Sequence, residues 1–238
     1  MVTTLADCFS RTYAINLPER RDRREALLGE LRSFQLAPEP GKLEIFPGVR
    51  PDDAGGFVNR GVRGCFLSHS GVLRRALDEK LETVLVLEDD VVFSPDLPRR
   101  VEAIRRELRE QRWGFAYLGH VLDLKPAADS RCFVPYSREI LLAHCYAVHG
   151  SVLPALVEFF EAIPERAPGH PDGGPMFPDG ALSFFRMRHP EIPTLAAAPA
   201  LAFQRPSRSD LTPRWFDRVP VLREAVGLLR KFKSARRG

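Results

Sequence analysis

Long apolar runs, paired cysteines and glycine-rich phosphate loops are all missing from this sequence. No hydrophobic stretch approaches the roughly 20 residues that span a bilayer. The N-terminus carries no basic-then-apolar leader. The four cysteines, Cys8, Cys65, Cys132 and Cys145, form no C-x-x-C pair and show no zinc spacing. Thiols scattered in this way point to a reducing compartment. Together these absences predict a cytoplasmic protein, peripheral to the inner face of a membrane at most. The nucleotide loop G-x-x-x-x-G-K-[ST] is absent, as is G-x-G-x-x-G after the first predicted strand, which argues against a P-loop ATPase and a standard dinucleotide enzyme. No helix-turn-helix or RNA-binding signature is visible, so no nucleic acid is expected as a partner despite the net charge of +4. There is no internal repeat.

What remains is a chain of 238 residues, 44% hydrophobic, which suits one large α/β domain with at most a small appendage. The positive charge is concentrated in an early arginine cluster and in the last segment. The apolar pattern predicts strands at Thr12 to Leu17, Leu43 to Phe46, Val84 to Leu87, Phe115 to Leu118 and His144 to His149. Helices are predicted from Asp22 to Phe34, from Gly64 to Lys80, after Ser94-Pro95, after Ser151 and from Gly180 to Arg188. The helix after Gly64 should bury Leu67, Val72, Leu73, Ala76 and Leu77. Strands alternating with helices imply a mostly parallel sheet with helices on both faces. Loops are expected from Pro47 to Gly61, after Gly119 to about Ser130, and from Pro164 to Pro178.

The whole is organised around Val84-Leu85-Val86-Leu87-Glu88-Asp89-Asp90. Four uninterrupted apolar residues read as a strand buried on both faces. The acids then fall at its C-terminal end, where ligands bind in open α/β sheets. In extended backbone, Glu88 and Asp90 share one face and Asp89 takes the other. Adjacent carboxylates repel, and a hard divalent cation, Mg²⁺ or Mn²⁺, relieves that repulsion. The alternative is a solvated acidic turn that helps start the next helix.

The turn after the first strand, Asn16 to Arg24, holds Arg20, Arg21, Arg23 and Arg24 at a helix start. Cations there oppose the helix dipole, and a phosphate would relieve the conflict. A solvated Arg/Glu surface is the competing reading. Cys65, Ser68 and His69 lie in the first turns of the second predicted helix. On local evidence they read as a buried thiol and a capped histidine. The last segment, Pro220 to Lys233, is amphipathic and basic. It either packs on the domain or lies on an anionic membrane surface.

Several stretches, in order, resemble glycosyltransferase family 25. They are Tyr13-Ala14-Ile15-Asn16-Leu17-Pro18-Glu19-Arg20-Arg21-Asp22-Arg23-Arg24, Gly61-Val62-Arg63-Gly64-Cys65-Phe66-Leu67-Ser68-His69, Val84 to Phe93, and His144-Cys145-Tyr146-Ala147. Pro178-Asp179-Gly180-Ala181-Leu182 is similar to the family's late Asp motif, and Pro199 to Asp210 to its closing segment. The opening of a response-regulator receiver domain also ends a strand in acids. There, however, the strand is N-terminal, and here the next strand ends at Leu118-Gly119 with no Asp.

The family resemblance implies a GT-A type fold over residues 1–210, followed by a basic amphipathic tail at 211–238. It also implies an inverting hexosyltransferase that moves galactose or glucose from a UDP-sugar to a hydroxyl of a cell-surface glycan such as lipopolysaccharide. Mn²⁺ or Mg²⁺ would be the cofactor, on Glu88, Asp89 and Asp90. Asn16, Arg20, Arg23, Arg24, Ser68 and His69 would line the donor pocket. Asp179 would be the general base, with Asp172 as its rival. A further metal ligand could be His144, His149 or Gln204. The implied partners are a UDP-hexose donor, a glycan acceptor that can be lipid-linked, and an anionic membrane surface. The alternative is a non-catalytic nucleotide-sugar-binding protein of the same fold.

Overall fold

The computed structural model describes residues 3–125 and 131–205. The expectations for the segment from Pro206 through the basic tail therefore lie outside the described residues. After a short 3-10 turn (Leu5–Cys8), the chain forms β1 (Arg11–Asn16), α1 (Arg21–Ser33), β2 (Leu43–Pro47), α2 (Arg60–Asp78) and β3 (Thr83–Glu88). It continues through β4 (Val91–Phe93), α3 (Leu97–Glu110), β5 (Phe115–Tyr117), β6 (Phe133–Pro135) and β7 (Cys145–His149). The last described elements are α4 (Leu153–Ala162), α5 (Pro178–Arg188), β8 (Thr194–Ala197) and β9 (Ala202–Gln204).

Seven strands make one sheet in the order β2-β1-β3-β7-β5-β8-β6, and β4 and β9 form a separate two-stranded ribbon. Strands β2, β1, β3, β5 and β8 run one way, while β7 and β6 run against them. The mostly parallel sheet is thus present, with β7 inserted antiparallel between β3 and β5. Side-chain alternation splits the core into two layers. Leu85 and Leu87 of β3 face α1 and α3 with Leu27, Leu31 and Ile104, whereas Val84 and Val86 face α2, α4 and α5 with Phe66, Leu73, Phe160 and Leu182. All four β3 side chains are fully buried, as their continuous apolar run predicts. Each contributes about 1.5–3 kcal/mol relative to exposure.

Several element boundaries differ from the sequence reading. Helix α2 starts at Arg60, because the Asn59 side chain accepts the Val62 N–H and caps it. Ser68 and His69 therefore lie on its third turn, and its buried face runs through Phe66, Ser68 and His69 as well as Val72, Leu73 and Ala76. Leu67 and Leu77 are only partly buried. Helix α3 begins at Leu97, after a turn in which the Asp96 N–H donates to Ser94 Oγ, so Ser94-Pro95 precedes the helix. Ser151 does not cap α4; its N–H donates to His149 Nδ1. The apolar piece from Ile192 to Gln204 is two strands, β8 and β9, separated by a cis Ala198–Pro199 bond. Strand β6 had no signal of its own. It is held by buried Glu107 of α3, whose carboxylate accepts the Cys132 and Phe133 N–H groups at 2.7 and 3.1 Å.

Candidate donor site

A cavity of about 820 Å³ opens at the C-terminal ends of β1 and β3. A second cavity of similar volume lies at the opposite end of the sheet, against Thr83, Trp113 and His149. Ligands in open α/β sheets bind at the carboxyl ends of the strands, which selects the first.

The acidic run divides its labour. Glu88 closes β3, and Asp89 and Asp90 form the turn into β4. Asp89 is committed to neighbours: Asn16 Nδ2 donates to one of its oxygens at 2.8 Å and Arg23 to the other at 3.1 Å. Asn16 is the last residue of β1, which pairs in parallel with β3, and Arg23 lies in the first turn of α1. Asp90 is buried and has one oxygen satisfied by Gln204 Nε2 at 3.1 Å, while its Oδ1 makes no hydrogen bond among the described residues. Pairing of β4 with β9 places Gln204 there. Burial, and after it the charge of Glu88, pushes the Asp90 carboxyl up to about 7. Burial also works to raise Glu88, but the hydrogen bond from His69 and the charges of His69, His144 and Arg23 outweigh it, so its carboxyl stays below the usual range.

The other wall is α2. Its Ser68 hydroxyl donates to the Gly64 carbonyl at 2.6 Å and accepts the Val49 N–H at 2.8 Å, which clamps the loop after β2 to the helix. His69 is fully buried between Tyr146 OH on Nδ1 (3.0 Å) and Glu88 Oε1 on Nε2 (3.2 Å). Cys65, one turn before His69, also lines the cavity. Burial raises its thiol well above the ordinary range, and the carboxylates of Glu88, Asp179, Asp90 and Asp89 push the same way.

Of the predicted donor-binding residues, Asn16, Arg20, Arg23, Ser68 and His69 line the cavity together with the three acids. Arg24 does not; it is exposed on the outer side of α1. Arg20 is held back by Asp22 through two hydrogen bonds of 2.9 and 3.0 Å. Arg50 and Arg60, which the sequence reading passed over, also line the cavity. Arg60 is the first residue of a capped helix, so the same conflict of cation and dipole that marked the first turn could have found it.

Asp179 lies outside the lining, in the first turn of α5, where its oxygens accept the Leu142 and Gly180 N–H groups at 2.9 and 2.8 Å. Burial raises its carboxyl, and the charge of Glu88 adds to the effect. Its rival Asp172 is exposed and paired with Arg188 at 2.7 Å, away from the cavity. Among the possible extra ligands, His149 is excluded, because it pairs with Thr83 at the far end of β3. That is roughly 16 Å of strand from Glu88. His144 is beside Glu88, whose N–H donates to the His144 carbonyl at 3.0 Å. Neither of its ring nitrogens makes a hydrogen bond of ordinary geometry among the described residues.

The sequence model of "Glycosyltransferase family 25 (LPS biosynthesis protein)" matches residues 9–131, just over half of the chain. The chain belongs to glycosyltransferase family 25. Over 129 residues it is 30% identical to procollagen galactosyltransferase 2 of Mus musculus, an alignment covering 47% of this chain and 21% of that protein. Over 132 residues it is 27% identical to inactive glycosyltransferase 25 family member 3 of Homo sapiens, covering 47% and 22%. The chain spans about a fifth of the length of the curated relatives it matches. Its fold is similar to that of a glycosyltransferase involved in glycosylating the major capsid of PBCV-1, with a TM-score of 0.50 over 82% of this chain and 92% of the other. At 13% identity that likeness is one of fold, and the fold is GT-A-like. The family match includes the arginine turn, the α2 residues and the acidic run, but ends before His144, Asp179 and Gln204.

Proposed function

We propose that this family 25 chain transfers a hexose, galactose or glucose, from a UDP-sugar to a hydroxyl of a glycan acceptor of the lipopolysaccharide type at the cytoplasmic face of a membrane. The observation that carries the reading is the cavity itself. Arginines from the turn before α1 and from the first turns of α1 and α2 line it together with Asp90, whose buried Oδ1 has no hydrogen-bond partner among the described residues. Anionic diphosphate and cation together would complement that pairing of charges.

The residues present fit a hard divalent cation. The available donors are carboxylate oxygens, and one of them is buried without a partner. Glu88 and Asp90 would hold Mn²⁺ or Mg²⁺. Such a cation, when bound, supplies Lewis-acid compensation of the leaving diphosphate. Asp89 acts on the chain instead: it fixes Arg23 and Asn16 from opposite oxygens, so the guanidinium is held at the cavity before a phosphate arrives. Ser68 keeps the Val49 loop closed against α2. Asp179, with a raised carboxyl and two backbone donors orienting it, takes the proton from the acceptor hydroxyl. Among the described residues no helix is long and apolar enough to cross a membrane.

Calorimetry with UDP, UDP-galactose and UDP-glucose, with and without Mn²⁺, followed by release of UDP over time, tests the reading. Mn²⁺-dependent binding with slow hydrolysis is expected, and the tighter sugar names the donor. Absence of binding to every UDP-sugar by folded protein with Mn²⁺ would overturn it. A second reading is favoured by the similar relatives whose names carry the words inactive or probable inactive. A non-catalytic chain would bind UDP-sugars and release no UDP.

A further inference from the structure

Helix α2 brings one more donor group to the cavity than the hard-cation reading uses. Cys65 and His69 are four residues apart, so both project from one face of the helix. Glu88 reaches the same point from the end of β3. One ligand atom from each, the Cys65 sulfur, a His69 ring nitrogen and a Glu88 oxygen, lies within 4.8 Å of the other two. His69 Nε2 and Glu88 Oε1 are already 3.2 Å apart. Bonds of about 2.0–2.3 Å from zinc to nitrogen, oxygen and sulfur put the donors of a tetrahedral site roughly 3.3–3.7 Å apart.

Two further features belong to a metal site. Tyr146 OH sits 3.0 Å from His69 Nδ1 and its ring stacks on the imidazole, which leaves Nε2 toward the Glu88 carboxylate. All three ligands line the open cavity, so a fourth position faces solvent or a bound phosphate. Three protein ligands and one open position are the arrangement of reactive rather than structural zinc sites.

We propose that Cys65, His69 and Glu88 form a second cation site, selective for a borderline-soft divalent metal such as Zn²⁺ or Co²⁺. Thiolate and imidazole favour those ions over Mg²⁺ and Mn²⁺. The metal takes the place of the thiol proton, which leaves to solvent. Glu88 is common to this site and to the Glu88–Asp90 pair, so a zinc ion here occupies at least one of its two oxygens.

Titration of the reduced full chain with Co²⁺, followed by absorption spectroscopy, tests the site without any sugar donor. A failure of glycosyl transfer therefore leaves its outcome unaffected. The expected result is a saturable one-to-one complex with a sulfur-to-cobalt charge-transfer band and the strong visible bands of four-coordination, displaced by Zn²⁺ and not by excess Mg²⁺. Cys65→Ser abolishes the charge-transfer band, Asp90→Asn retains it, and Tyr146→Phe weakens binding by about tenfold to a hundredfold. In the unaltered chain, Zn²⁺ slows alkylation of Cys65 while that of half-buried Cys8 stays the same. A folded chain with no such band, a band that survives Cys65→Ser or is lost in Asp90→Asn, or equal alkylation of Cys65 with and without Zn²⁺ overturns the proposal.

Discussion

Between pH 7.5 and pH 5, one histidine outside the cavity should withdraw stability from this chain. His120 follows β5 and is 3% exposed. Its Nε2 is 2.7 Å from the Ala197 carbonyl, and its Nδ1 accepts the Leu122 N–H at 3.2 Å. Only the neutral ring protonated on Nε2 satisfies both contacts, since a proton on Nδ1 would face an N–H. Burial pushes the imidazole from 6.5 down to about 4, with His144 adding to the fall and the Ala197 carbonyl opposing it. The sign follows from linkage: between those values the unfolded chain binds the proton and the folded chain does not, so stability is full above 6.5 and is lost as pH falls toward 4. At pH 5 the loss is about 2 kcal/mol, and it approaches roughly 3 kcal/mol near pH 4. Urea unfolding of wild type and His120→Gln at pH 7.5 and pH 5 isolates the contribution. Other groups, including Asp90 with its opposite slope, are common to both proteins and cancel. The wild type should lose about 2 kcal/mol more than the variant over this interval. Parallel pH profiles would refute the reasoning and place a charged or hydrated imidazole at 120.

Four other outcomes are expected. Asp179→Asn keeps an acceptor for the Leu142 N–H, so the melting temperature should hold while turnover falls by about 10²–10⁴; undiminished turnover would make Asp179 a loop anchor only. Asp90→Asn should abolish Mn²⁺-dependent donor binding in calorimetry. Because Asp90 is a buried carboxyl raised to about 7, the same change should raise the metal-free melting temperature at pH 8, by about 2–4 °C per kcal/mol of relieved charge burial. Glu107→Ala leaves the Cys132 and Phe133 N–H groups without their acceptor and should cost about 2–5 kcal/mol by urea unfolding, whereas Glu107→Gln should cost less. A Cβ at Gly119 would collide with the buried His144 ring, so Gly119→Ala should cost about 1–3 kcal/mol by the same measurement.

Much of this architecture was legible because burial leaves a local trace. The unbroken Val84 to Leu87 run is buried on both faces, and Leu27 and Leu31 at helical spacing face the core. The conflict of arginine charge and helix dipole after β1 marked Arg20 and Arg23, and the family resemblance marked Asn16; all three line the cavity. The ordered motifs pointed to a family that the match over residues 9–131 establishes. Composition and periodicity report whether a side chain is inside and on which face, since those depend on a few neighbouring residues.

Partnership and direction depend on contacts distant in sequence, and only the tertiary structure decided them. Antiparallel insertion of β7 puts His144 beside Glu88 and His149 at the other end of the sheet, though the two are five residues apart. Asp89 and Asp90 are the same residue type in adjacent positions. One has its oxygens engaged by Asn16 of β1 and Arg23 of α1, while the other keeps a buried oxygen without a partner among the described residues. Asn59 moves the start of α2 back to Arg60, and the helix then carries Cys65 and His69 to Glu88 from a different element of the fold. Local pattern places each of these groups on its own element. The crossing of α2 over the end of β3 brings them within 4.8 Å of one another.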